Sequence, residues 1–162
     1  MEEPEIELGT ITLAAKDTFR ILIMDTEAHT DMLKAVCREM GHSVISAHSI
    51  DEAFAFLDGK NHADVIVCAA YLENESMFEF LRRLRKDPIH KKTIFVILAL
   101  ESGPTAVRLN ASVELSGKVL GADAFIDMPV FDAAQLVAHI EELLPLVPAL
   151  EVSRLKNEAE TK

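Results

Sequence analysis

Short apolar runs recur along this chain, each bounded by turn residues and followed by a stretch with helical periodicity. Ile21-Leu22-Ile23-Met24, Ser43-Val44-Ile45-Ser46-Ala47, Val65-Ile66-Val67-Cys68, Ile94-Phe95-Val96-Ile97 and Ala124-Phe125-Ile126-Asp127 read as strands. All but the second are apolar nearly throughout, as strands covered on both faces must be. Between them, Ala28 to Met40 carries Met32, Leu33, Val36, Cys37 and Met40 on one helical stripe and stops at Gly41, a residue that tolerates the left-handed cap. Ser49 with Glu52 three residues on reads as a capping box opening a helix whose Ala53, Phe56 and Leu57 face inward. Glu75 to Lys86 is helical, with Phe78, Leu81 and Leu84 on its apolar side and Asp87-Pro88 as its stop. From Thr105 to Leu120 the chain is again helical, but Val107, Leu109, Val113, Leu115 and Val119 are spread around the helix and define no clear core face. The last helix runs from Asp132 to Leu144 with Leu136, Ile140 and Leu143 inward, and Pro145 and Pro148 break it.

Successive βα units predict a parallel sheet with helices on both faces. The expected class is α/β, a doubly wound five-stranded sheet in the order 2-1-3-4-5 with five helices. Residues 18–145 form the expected domain. Residues 1–17 are an acidic extension in which Ile6, Leu8, Ile11 and Leu13 are placed to add a short strand or to pack on the domain. Residues 146–162 are a tail with the spacing of a short helix, which alone in water would be marginal.

In an open α/β sheet, ligands and catalytic groups sit beyond the carboxyl ends of the strands. Here the ends of the four core strands read Asp25-Thr26, Ala69-Ala70, Leu98-Ala99 and Met128-Pro129. Only Asp25 is ionisable. No nucleophile, metal cluster or anion cradle is legible, and no catalytic residue, metal or cofactor is expected. Glu27 and Glu73 lie close to this end and read as solvated loop carboxylates.

The net charge of −11 argues against nucleic acid as a direct partner, because phosphates must be neutralised by Lys and Arg. It argues equally against an anionic membrane surface. No apolar stretch approaches the roughly 20 residues of a membrane-spanning helix, and the acidic start Met1-Glu2-Glu3-Pro4-Glu5 lacks the layout of a signal peptide. A cytoplasmic protein is expected. Cys37 and Cys68 fall in different elements and read as small buried hydrophobes. The six histidines are scattered, with no Cys/His cluster at zinc spacing.

Four segments, taken together, resemble the receiver domain of bacterial two-component response regulators: Ile21 to Glu27, Gly41 to Val44, Ala63 to Ala69, and Gly121 to Pro129. The resemblance implies an acidic pair after the first strand and an aspartate after the third to hold magnesium. It implies that this aspartate takes phosphate from a histidine kinase, and that a hydroxyl after the fourth strand and a lysine before a proline after the fifth read the phosphoryl group. In this chain those positions hold Asp25 and Thr26, Ala69, Leu98 and Met128, followed by the expected Pro129. One functional side chain survives. An alanine methyl cannot form an acyl phosphate, and magnesium wants hard oxygen ligands in octahedral geometry.

The resemblance thus implies a degenerate, phosphorylation-independent form that works through protein contacts, self-association included. Pro129 is a candidate for a cis peptide bond, which is common at that place in the family. Phe125, at the aromatic switch position, with Val107, Leu109, Val113 and Val130, is a candidate partner surface. A small-ligand-binding flavodoxin-like domain is the alternative, along with a structural subunit of a larger assembly. With no DNA-binding domain expected after residue 144, direct transcriptional output is not expected.

Overall fold

The computed structural model describes residues 18–59, 62–100 and 103–144. The acidic extension 1–17 and the tail 146–162 lie outside the described residues. Five strands, β1 (Arg20–Met24), β2 (Ser43–Ser46), β3 (Val65–Ala69), β4 (Ile94–Ala99) and β5 (Ala124–Asp127), alternate with five helices, α1 (Glu27–Met40), α2 (Ile50–Leu57), α3 (Met77–Lys86), α4 (Pro104–Leu120) and α5 (Ala133–Leu143). A 3-10 turn, Pro88–His90, follows α3. The sheet is wholly parallel in the order β2-β1-β3-β4-β5, as the apolar runs predict.

Alternation along each strand divides the core in two. Leu22, Ile66, Phe95 and Ile97 face α2, α3 and α4, where Phe54, Phe80, Leu81, Leu84 and Val113 meet them. Ile21, Ile23, Val65, Val67, Val96 and Leu98 face the other way, onto Leu33 and Cys37 of α1 and Leu136, Val137 and Ile140 of α5. Cys37 and Cys68 belong to opposite layers and cannot pair. Burial pushes the Cys37 thiol up to about 11. Burial, reinforced by the charges of Asp25 and Glu75, pushes Cys68 higher still. Both are packing residues.

The helices obey their caps. Gly41 and Gly121 end α1 and α4 in left-handed geometry, at φ 83° and 110°. Ser49 Oγ accepts from the Glu52 amide at 3.0 Å, but the Glu52 carboxylate accepts from His48 N, one residue before the position a capping box uses. Glu75, expected inside α3, lies before it and accepts from Ile50 N at 2.9 Å. A carboxylate there favours the positive end of α2.

Several expected core faces are corrected by packing. On α1 the buried set is Thr30, Leu33 and Cys37, while Met32 and Met40 are exposed. The helix meets the sheet and α5 along a stripe narrower than its apolar arc. On α2, Phe54 is buried and Phe56 only half-buried. On α4, the core face is Ala106, Asn110, Val113 and Gly117. Most of it is small or polar, which is why hydrophobicity alone did not reveal it.

Gly117 sits where α4 crosses β4. A Cβ built there would lie 2.3 Å from Ile97 Cδ1, and Ile97 is fully buried. Gly117→Ala is therefore expected to cost about 1–3 kcal/mol, the usual range for overpacking. The cost should fall in the Gly117→Ala/Ile97→Val double variant, which removes the opposing methyl. Urea denaturation of the four proteins in the cycle measures it, and purely additive losses would contradict the contact.

Candidate functional site

The loops beyond the carboxyl ends of β1, β2 and β3 line an open cleft of about 570 Å³. Asp25 follows β1. Thr26 is the N-cap of α1: its hydroxyl accepts from His29 N at 3.3 Å and its carbonyl from Thr30 N at 3.0 Å. That cap turns α1 so that His29 stands one turn above Asp25. The Asp25 carboxylate is almost entirely enclosed, with 4% of its side chain exposed, and lies 2.7 Å from His29 Nδ1. The far face of the imidazole stacks on Phe131 from the β5–α5 loop, with ring centroids 4.2 Å apart and planes at 15°. Asp25, His29 and Phe131 thus form one packed column at the mouth of the sheet.

Ala69 ends β3 opposite Leu98 in the ladder. Leu98 is fully buried and Met128 nearly so. The Met128 amide donates to Ala99 O at 2.7 Å, and its sulfur accepts from Asp132 N at 3.3 Å. Met24 and Ala69 line the cleft beside Asp25, whose carboxylate is already engaged, while Leu98 and Met128 belong to the buried layer facing α1 and α5. Cys68 points into the opposite core layer, as the strand period requires. Glu73, Asn74 and Glu75 line the outer wall with Tyr71. The Tyr71 hydroxyl donates to Asn110 Oδ1 at 3.0 Å and so ties the β3–α3 loop to α4.

The tertiary structure places Asp25, Thr26 and Ala69 on the cleft and Leu98 and Met128 in the buried layer facing α1 and α5. It adds His29, Phe131 and Tyr71. The i,i+4 spacing of Asp25 and His29 across a helix start was a signal available in the sequence. The approach of Phe131, 102 positions further on from His29 by residue number, was not. Two expectations are corrected. All peptide bonds among the described residues are trans, including Met128–Pro129. Trans is the intrinsically favoured form of such a bond by roughly 0.5–1 kcal/mol, and the Met128 amide is already held by Ala99. Val113 is buried on the core side of α4 and so is not part of a partner surface. Phe125 is half-buried against that same layer. Val107, Leu109 and Val130 are exposed, at 65%, 52% and 82%.

The resemblance to receiver domains implies a magnesium ion at this end of the sheet. The residues present do not fit one. Magnesium needs several oxygen ligands in near-ideal octahedral geometry. Here Ala69 offers none, the Thr26 hydroxyl caps α1, and the Asp25 carboxylate is taken by His29.

No family model matches the chain. Over 139 residues it is 30% identical to the transcriptional regulatory protein TrcR of Mycobacterium tuberculosis, a match taking in 85% of this chain and 50% of TrcR. The chain thus spans about half the length of that curated relative. Among solved structures, the chemotaxis response regulator CheY4 of Vibrio cholerae is 23% identical, with a TM-score of 0.65, over 78% of this chain and 99% of that one. A response regulator from Thermotoga maritima is 20% identical, with a TM-score of 0.63, over 78% and 97%. The signal receiver domain of a histidine kinase from Syntrophus aciditrophicus is 24% identical, with a TM-score of 0.62, over 78% and 89%. The fold is the flavodoxin-like receiver fold of these proteins. Among the described residues, no helix is long and apolar enough to cross a membrane.

Proposed function

We propose that this chain is a receiver-type signalling domain that acts through protein contacts and carries no aspartyl phosphate. The observation that supports this most is the end of β3. The residue there is Ala69, beside an Asp25 whose carboxylate is closed off by His29 at 2.7 Å. A receiver switches because its two conformations differ in affinity for phosphate and metal. A ligand that cannot attach cannot shift that equilibrium. On this reading the Asp25–His29–Phe131 column takes the place of the metal site as a fixed structural element, and the domain performs no catalytic step.

The contacts that remain available are on α4 and the loop after β5. Val107, Leu109, Leu115, Val119 and Val130 are each at least half exposed and supply apolar surface for such a contact. The partner is another protein, a second copy included. The net charge of −11 disfavours nucleic acid and anionic lipid as direct partners. A transcriptional role like the one in TrcR's name would then be exercised through a partner or through a part of the protein that carries the basic surface.

The test is a two-dimensional amide NMR titration of the protein with magnesium and then beryllofluoride, which mimics an acyl phosphate. Signals around Asp25, Ala69 and Met128 are expected to stay in place at both steps. Saturable shifts of those signals with beryllofluoride would overturn the proposal, because they would mean that the cleft still recognises a phosphoryl group.

A further inference from the structure

At the opposite, amino end of the sheet, three side chains meet around one point, Asp58 joining Asp87 and His90, which lie three positions apart. Asp58 is the C-cap of α2 and Asp87 the C-cap of α3. His90 ends the 3-10 turn and is buried, with 5% of its side chain exposed. Its Nε2 lies 3.0 Å from Asp58 Oδ1 and 3.8 Å from Asp87 Oδ2, and one ligand atom from each of the three lies within 4.8 Å of the others. The arrangement is braced. Asp87 Oδ1 accepts from Ile89 N at 3.0 Å, which leaves Oδ2 turned toward the imidazole. Arg85 Nη1 donates to the His90 carbonyl at 3.1 Å. The imidazole ring meets Phe54 edge-on.

One hydrogen bond to Asp58 would satisfy this nitrogen, yet a second carboxylate is held close to it without one. Asp58 caps the carboxyl end of α2, where the macrodipole is itself negative and disfavours it, while Asp87, at the end of α3, is also the N-cap of the 3-10 turn. The neighbouring guanidinium of Arg85 is directed to Gly121 O, His90 O and Asp123. A cation bound among the three groups removes that conflict. The spacing suits a small one: bonds of about 2.0–2.1 Å in a tetrahedron place ligand atoms roughly 3.4 Å apart, and the observed 3.0 and 3.8 Å lie on either side of that value. An imidazole with two carboxylates selects borderline ions such as zinc over magnesium or calcium, which take oxygen sets.

We propose that Asp58, Asp87 and His90 form a binding site for one divalent transition-metal ion of the zinc type, completed by water on the exposed side of Asp58. The bound ion ties the end of α2 to the end of α3. The site is independent of the carboxyl-end cleft and of the function proposed for it.

Calorimetric titration of the full chain with zinc chloride, paired with thermal melts, tests it. One zinc per chain is expected, with a melting temperature that rises with zinc as linkage requires. Asp58→Asn and Asp87→Asn, both at partly exposed positions, should keep the circular dichroism spectrum. Each should lose at least about tenfold in zinc affinity, the loss that even an outer-shell partner of a metal ligand typically causes. Both should also lose most of the zinc-dependent rise in melting temperature. Wild-type protein that binds no zinc at millimolar concentration would overturn the proposal. So would variants that bind as well as wild type, which would assign the zinc to other histidines.

Discussion

Ala69→Asp by itself leaves the protein unable to accumulate an aspartyl phosphate from acetyl phosphate and magnesium. The new carboxylate would stand at the end of β3 with one potential metal ligand beside it, Asp25, which already binds His29 at 2.7 Å. The groups that would neutralise the incoming phosphoryl oxygens are still missing, since Leu98 and Met128 present buried apolar side chains at those positions. Loss of one preorganised electrostatic group in an active site typically lowers a rate about 10²–10³-fold, and here two are absent along with the metal. The expectation is therefore no phosphoprotein by intact-mass spectrometry in Ala69→Asp, as in the wild type. The combined variant Thr26→Asp, Ala69→Asp, Leu98→Thr and Met128→Lys is the one expected to gain it. A phosphorylated single variant would mean that the cleft retains a working metal and anion site, and the contact-only function proposed above would have to be given up.

Phe80→Ala is expected to produce the largest loss of stability of any single truncation in the core. Phe80 is fully buried on α3. Its ring meets Phe54 of α2 edge-on at 5.5 Å and Phe95 of β4 edge-on at 5.5 Å. One side chain therefore joins two helices to the central sheet, in the edge-to-face geometry that adds to simple burial. Phe→Ala at such a site costs about 3–5 kcal/mol, from lost burial and from the cavity left behind. Because domains are stable by only about 5–15 kcal/mol in total, that is a large fraction. Urea denaturation should show the midpoint falling with little change in slope. Phe80→Leu, which keeps most of the volume, should lose less than half as much. A loss under about 1.5 kcal/mol for Phe80→Ala would show that the three rings are not the keystone of that layer.

The sequence by itself determined the architecture of this protein. Strands such as Val65–Ala69 and Ile94–Ala99 are apolar on both faces, and only the interior of a parallel sheet with helices on each side can cover such strands. Stop residues such as Gly41 and Asp87-Pro88 punctuate the chain by local backbone chemistry, so helix ends were legible to within a residue or two. Residues 25, 69, 98 and 128 fall at the carboxyl ends of strands, and that placement followed from strand topology.

What only the tertiary structure decided is which surfaces and polar groups meet. The core face of α4 is made of Ala106, Asn110, Val113 and Gly117. A helix that must approach β4 closely selects small residues over large apolar ones, and hydrophobic periodicity does not register that choice. The stacking of Phe131 on His29, and the meeting of Asp58 with His90, depend on contacts between elements distant in the chain. No local pattern encodes these contacts, because they arise from how helices pack once the sheet has set their positions.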